Sequence, residues 1–109
     1  MLKFYVISKT ISAGGQETET FSPERNIHVK RIIVNERGGA SLTNVFISMD
    51  IQGTPITKQP VPASLFNVPW NQLPPLEFDL PKGVKLNFTV KNNTASDINV
   101  DIILAYEEA

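Results

Sequence analysis

The chain has 109 residues, 41% of them hydrophobic, which is enough for one domain with a real core and too few for two. With 10 basic against 11 acidic side chains and a formal net charge of -1, it lacks the field that draws in nucleic acid or an anionic membrane surface. It has no cysteine, which excludes disulfides and thiolate metal sites, and its 8 prolines and 6 glycines, spread along the chain, argue against a helix bundle.

The opening stretch MLKFYVISKTI predicts a strand with two apolar faces: Leu2, Phe4 and Val6 share one parity, and Tyr5, Ile7 and Ile11 the other. It is too short and too charged for a membrane span, and it has neither the apolar run nor the small-residue cleavage site of a secretory signal. The expectation is a protein that stays where it is made or leaves by lysis or assembly. After a turn at Ala13-Gly14-Gly15, the stretch NIHVKRIIVNE predicts a strand whose parity switches midway. Ile27 and Val29 fall on one face and Ile32 and Val34 on the other, so either a bulge near Lys30 and Arg31 turns all of them inward or the strand is covered on both faces. Lys30, Arg31 and Arg37 make a local basic group, but Glu36 interrupts it, and a solvated strand end is a simpler reading than a phosphate site.

Four further stretches alternate cleanly. Val45, Ile47, Met49 and Ile51 oppose Ser48 and Asp50; Leu76, Phe78 and Leu80 oppose Glu77 and Asp79. Val84, Leu86, Phe88 and Val90 oppose Lys85, Asn87, Thr89 and Lys91; Ile98, Val100, Ile102, Leu104 and Tyr106 oppose Asn99, Asp101 and Glu107. Turn-forming groups separate them at Glu36 to Gly39, Gln52 to Pro55, Leu80 to Gly83 and Asn92 to Thr94. Prolines at 60, 62, 69, 74 and 75 forbid a long helix or a central strand and predict an ordered crossover, with one helical turn near Ala63 to Asn67. The predicted fold is all-β: a single domain over residues 1–109, an antiparallel two-sheet β-sandwich, jelly-roll-like, with about seven to eight strands and a long proline-rich crossover.

Catalytic chemistry finds little footing. His28 is the one histidine, so a cupin-type centre that gathers several imidazoles cannot be built within the chain. No Gly-x-Ser-x-Gly elbow and no glycine-rich phosphate loop is present. Glu77 and Asp79 share a strand face and could be imagined as an acid and base pair, but a solvated polar face is the plainer reading. Asp97 and Asp101 lack the acidic density of a calcium loop. The glycosylation sequons at Asn87 and Asn92 read as accidents of a Thr-rich strand. The protein is expected not to be an enzyme and to use no cofactor or metal.

Binding is better served. Phe66, Trp70, Asn71 and Gln72 combine flat rings with amide donors and acceptors in the crossover, the kit that stacks on sugars and bonds their hydroxyls. The plainer alternative has Trp70 plugging one end of the sandwich. Self-association has its own signal in Leu2, Tyr5, Ile7 and Ile11 of the first strand, with Phe46 and Ile103 at otherwise polar parities. That is more apolar exterior than a small monomer leaves wet, and a symmetry mate is the economical cover.

The run from Thr43 to Glu107, with SMDIQGTPIT, the proline-rich crossover and LPKGVKLNFTVKNNTASDINVDIILAYEE, resembles the small jelly-roll proteins that build or decorate virus and phage particles. The likeness covers well over half of the chain and rests on generic motifs: a Pro-x-Gly turn, an alternating strand, an Asn-rich turn and a last alternating strand. It implies a non-enzymatic capsid, decoration or spike protein, made in the host cytoplasm and carried in the virion, that packs against its own copies and other virion proteins. The alternative is a carbohydrate- or receptor-binding sandwich acting on a glycan or cell-surface receptor through the Trp70 loop.

Overall fold

The structure, a computed structural model, describes residues 1–108. Among them nine strands form: β1 (Lys3–Ile11), β2 (Gln16–Phe21), β3 (Ile27–Glu36), β4 (Val45–Ile51), β5 (Thr54–Pro55), β6 (Val61–Pro62), β7 (Phe78–Leu80), β8 (Leu86–Asn92) and β9 (Ile98–Glu108). Working inward from both ends, β1 pairs with β9, β2 with β8, β3 with β7, and β4 with β5 and β6, all antiparallel. These pairs then roll up as β9 joins β3 and β8 joins β4, giving one sheet ordered β1-β9-β3-β7 and a second ordered β2-β8-β4-β5. This is the strand order of a jelly roll. The strand count exceeds the sequence expectation because one position is divided between the two-residue strands β5 and β6.

Alternation decides which side chains meet between the sheets. Ile98, Val100, Ile102 and Leu104 of β9 face Val45, Ile47 and Met49 of β4 and Leu86, Phe88 and Val90 of β8, all buried. In β3 the register against β9 shifts between Val29 and Arg31, so Ile27, Val29, Ile32 and Val34 all reach the core. Of the two arrangements that the parity switch allowed, the bulge is the one that forms.

The two open sides of the sandwich are closed by different chemistry. On the side of β3 and β4, the crossover forms 3-10 turns at Ala63–Phe66 and Trp70–Gln72, and Ala63, Phe66 and Leu73 drop into the gap. On the other side, the edge strands β1 and β2 carry charges at inward register positions: Lys9 lies across from Val100, Glu17 from Val90 and Glu19 from Phe88. Lys9 Nζ sits 2.8 Å from Glu19 and 3.6 Å from Glu17, and the pairing with Glu19 raises the lysine's pKa. Inward charges on edge strands deter pairing with foreign strands. They also explain why QETETF forms a strand without showing an apolar stripe.

Turns are tied by buried polar groups. The Asn92 side chain is fully buried; its Nδ2 donates to the carbonyls of Ser96 at 2.8 Å, Ile11 at 3.1 Å and Ser12 at 3.2 Å, while Oδ1 accepts from Thr94 N at 3.0 Å and Thr94 Oγ1 at 2.6 Å. The amide nitrogen of that sequon is thus enclosed. Glu36 serves the β3–β4 turn: its carboxylate accepts from Asn99 N at 2.7 Å and Ala40 N at 3.0 Å. These backbone donors, Asn99 first, hold its pKa below the ordinary 4.5 against the opposing effect of burial. A Cβ at Gly38 would come within 3.1 Å of the same carboxylate, so the turn takes glycine there.

Replacing Asn92 with Ala leaves several buried partners without a bond. Five bonds are lost at about 0.5–1 kcal/mol each, so Asn92→Ala is expected to lower unfolding free energy by about 3–5 kcal/mol, measured by urea denaturation. A loss under about 0.5 kcal/mol would show that water replaces the amide without cost.

Candidate functional site

The outer face of the four-stranded sheet carries the most exposed apolar surface. Phe4 and Val6 point outward from the edge strand β1, 56% and 52% exposed, and Leu2 just before the strand is exposed as well. Phe4 lies across from Ala105, and Val6 from Ile103, which in turn lies across from Ile33 of β3. Further along the strands the face turns polar: Asp101 accepts from Ser8 Oγ at 2.6 Å and Asn35 Nδ2 at 3.4 Å, and Arg37 Nε lies 3.3 Å away.

This geometry corrects part of the sequence reading. Tyr5, Ile7 and Ile11 were expected on an outward interface; instead they lie across from Leu104, Ile102 and Ile98 and share those residues' inward direction. Ile11 is 1% exposed in the core, Ile7 packs against the core, and Tyr5 stacks on Phe21 of β2 with ring centroids 4.7 Å apart. Ile103 does lie on the outer face, and Leu2 is exposed just before β1. Phe46 is outward too, but on the other sheet, across from Lys91 and Pro62, so it shares no surface with Ile103. Phe4, Val6 and Ile33 complete the apolar row; both parities of the first strand are apolar, and Ile33 turns outward only through the register that follows the β3 bulge.

The crossover residues divide in a similar way. Phe66 is 3% exposed and is the plug, so it is not available to a ligand. Trp70 is 45% exposed and is not a plug; its ring lies 6.0 Å from the Arg31 guanidinium. Asn71 and Gln72 are exposed in the same turn.

Beside Trp70 the edge of the sheet gathers charge. His28 lies across from Asp79, and its Nδ1 is 2.7 Å from Asp79 Oδ1 while Nε2 is 3.1 Å from Glu77 Oε1. Arg31 Nη1 donates to Glu77 Oε2 at 3.2 Å, and Lys30 Nζ approaches Glu77 at 3.5 Å. The bond to Asp79, then that to Glu77, raises the His28 pKa above 6.5. The His28 bond, then the Arg31 bond, lowers the Glu77 pKa to about 2. The residues that the sequence reading treated as a solvated face therefore form a connected network. Its partners are dozens of positions apart, and only the β3–β7 register brings them together.

A cleft of about 480 Å³ opens between the sheets at the Lys3 end of β1, lined by Tyr5, Phe21 and Tyr106 with Thr20, Arg25 and Glu108. Glu108 is held there by Lys3 at 2.6 Å and Arg25 at 3.5 Å. Among the described residues no group of three or more His, Asp or Glu side chains is arranged to hold a metal ion. Compared with protein-family models, curated proteins and solved structures, the chain finds no match.

The two aromatics of the crossover are expected to separate experimentally. Phe66→Ala should cost about 3–5 kcal/mol of stability, as other large-to-small core changes do. Trp70→Ala should cost no more than about 1 kcal/mol, as at an exposed cation–π contact. Equal losses in thermal denaturation would mean that Trp70 also seals the core.

Proposed function

We propose that this chain is a structural subunit of a virus or phage particle, non-enzymatic, that works by burying the outer face of its β1-β9-β3-β7 sheet against further copies of itself. The observation that carries the reading is the outward row of Phe4 and Val6 beside Ile103 and Ile33, with exposed Leu2 just ahead of it. An edge strand of nine residues with apolar side chains on both sides of its first half invites association, and small monomers blunt such edges. Here the inward side carries the blunting charges and the outward side keeps its apolar row. The particle setting rests on the resemblance of Thr43 to Glu107 to virion jelly rolls; the fold and the absence of cysteine are compatible with it.

Phe4→Asp with Val6→Asp is expected to leave the fold intact, since both side chains are exposed, and to reduce the protein to a monomer in sedimentation velocity. Phe46→Asp, on the opposite face, should leave the oligomer unchanged. A wild-type protein that stays monomeric at every concentration, or a double variant that assembles normally, would count against this reading.

The exposed Trp70 ring with Asn71 and Gln72 favours a second reading, a carbohydrate- or receptor-binding module. Titration with a panel of glycans distinguishes it: saturable shifts in a monomer, lost in Trp70→Ala, would support binding over assembly.

A further inference from the structure

Both ring nitrogens of His28 face carboxylate oxygens, Asp79 Oδ1 at 2.7 Å and Glu77 Oε1 at 3.1 Å. An ionised carboxylate only accepts, and a neutral imidazole has one N–H to give. The two contacts are satisfied together only by the imidazolium, so loss of one proton removes one of them and the charge that supports both. The strand they hold is short: β7 has three residues, is paired to β3 only from Ile27 to Val29, and is anchored in the core at its far end by Leu80, which leaves the Glu77 end to these contacts and to the packing of Leu76 and Phe78. Glu77 closes the proline-rich crossover and passes the link on through Arg31 to Trp70. Each element around the imidazole contributes charge: Lys30 and Arg31 on β3, Glu77 and Asp79 on the β7 segment, and Glu107 on β9, directly across from His28.

We propose that His28 is a proton-operated clasp that fixes β7 and the end of the crossover to the sheet, and so sets the position of Trp70 at the outer face. Its consequence for assembly rests on the role proposed for that face. The direction follows from linkage. His28 has its folded pKa raised, so its contribution is complete below 6.5 and is lost as pH rises through the folded value. Glu77 has its folded pKa lowered to about 2, so its contribution is complete above 4.5 and is lost as pH falls toward 2. The clasp is fully closed between these limits and opens on the alkaline side through His28 and on the acid side through Glu77.

The chain's single tryptophan is the reporter. The whole protein is titrated from about pH 5 to 9, the range in which histidines change charge. Trp70 emission, the His28 ring resonances and amide exchange at Phe78 and Leu80 are followed together, with His28→Gln measured at each pH as reference. Wild type should show one shared midpoint above 6.5 in ring resonance and Trp70 emission, with β7 amides exchanging faster than in the closed form above it. His28→Gln should lack the emission change, and Asp79→Asn should move the His28 midpoint downward. Emission and exchange that stay flat while His28 titrates, or an emission change that survives in His28→Gln, would overturn the clasp. Sedimentation of the same samples separates the two ideas: a monomer with an intact His28–Trp70 transition ends the assembly reading and leaves the clasp standing.

Discussion

Between Val29 and Arg31, β3 carries a residue that its partner β9 does not match, and both the core and the outer face depend on that insertion. Strand side chains alternate strictly, so without it either Ile27 and Val29 or Ile32 and Val34 would face water. The same shift sends Arg31, Ile33 and Asn35 outward after His28, because each then lies across from an outward residue of β9. It also lets the adjacent Lys30 and Arg31 approach one carboxylate, Glu77, that His28 already contacts. One local irregularity therefore fills the core and assembles the charged edge beside Trp70.

The unequal closure of the sandwich follows from how the chain uses its few large residues. The crossover, paired with β4 only through Val61–Pro62, drops Ala63, Phe66 and Leu73 into one side. The other side is sealed near its middle by Lys9, Glu17 and Glu19, and beyond them it widens into the cleft floored by Tyr5, Phe21 and Tyr106. Inward charge keeps the β1–β2 side from recruiting foreign strands, which leaves the outward row of Phe4 and Val6 as the apolar surface free to associate. In the proposed assembly, adhesion is thus directed to a face and away from an edge.

Where one parity was apolar and the other polar, the sequence was enough to read the strand and its direction, as from Val45 to Ile51 and from Ile98 to Tyr106. The bulge was legible for the same reason, as a switch of parity inside an otherwise apolar run. Strand β2 was not, because its inward positions Glu17 and Glu19 answer to Lys9 and carry no apolar signal. The outward face of β1 was misassigned: apolar residues occupy both parities, and only the register against β9 tells them apart. The His28 network was illegible because alternation places Glu77 and Asp79 on a face without naming their neighbour across the strand. Phe66, expected in the ligand loop, is the plug, and Trp70, for which a plug was the plainer alternative, is exposed, for a related reason: in an irregular crossover no period says which ring turns inward.

Hydroxyl-radical footprinting of dilute and concentrated protein reads the contact surface residue by residue. If copies cover the outer face of the first sheet, Phe4, Val6, Ile33 and Trp70 become protected as concentration rises, while Phe46 and Leu65 remain as reactive as before. Protection of Phe46 in their place, or reactivity that is the same at every concentration, would contradict a surface built to be covered.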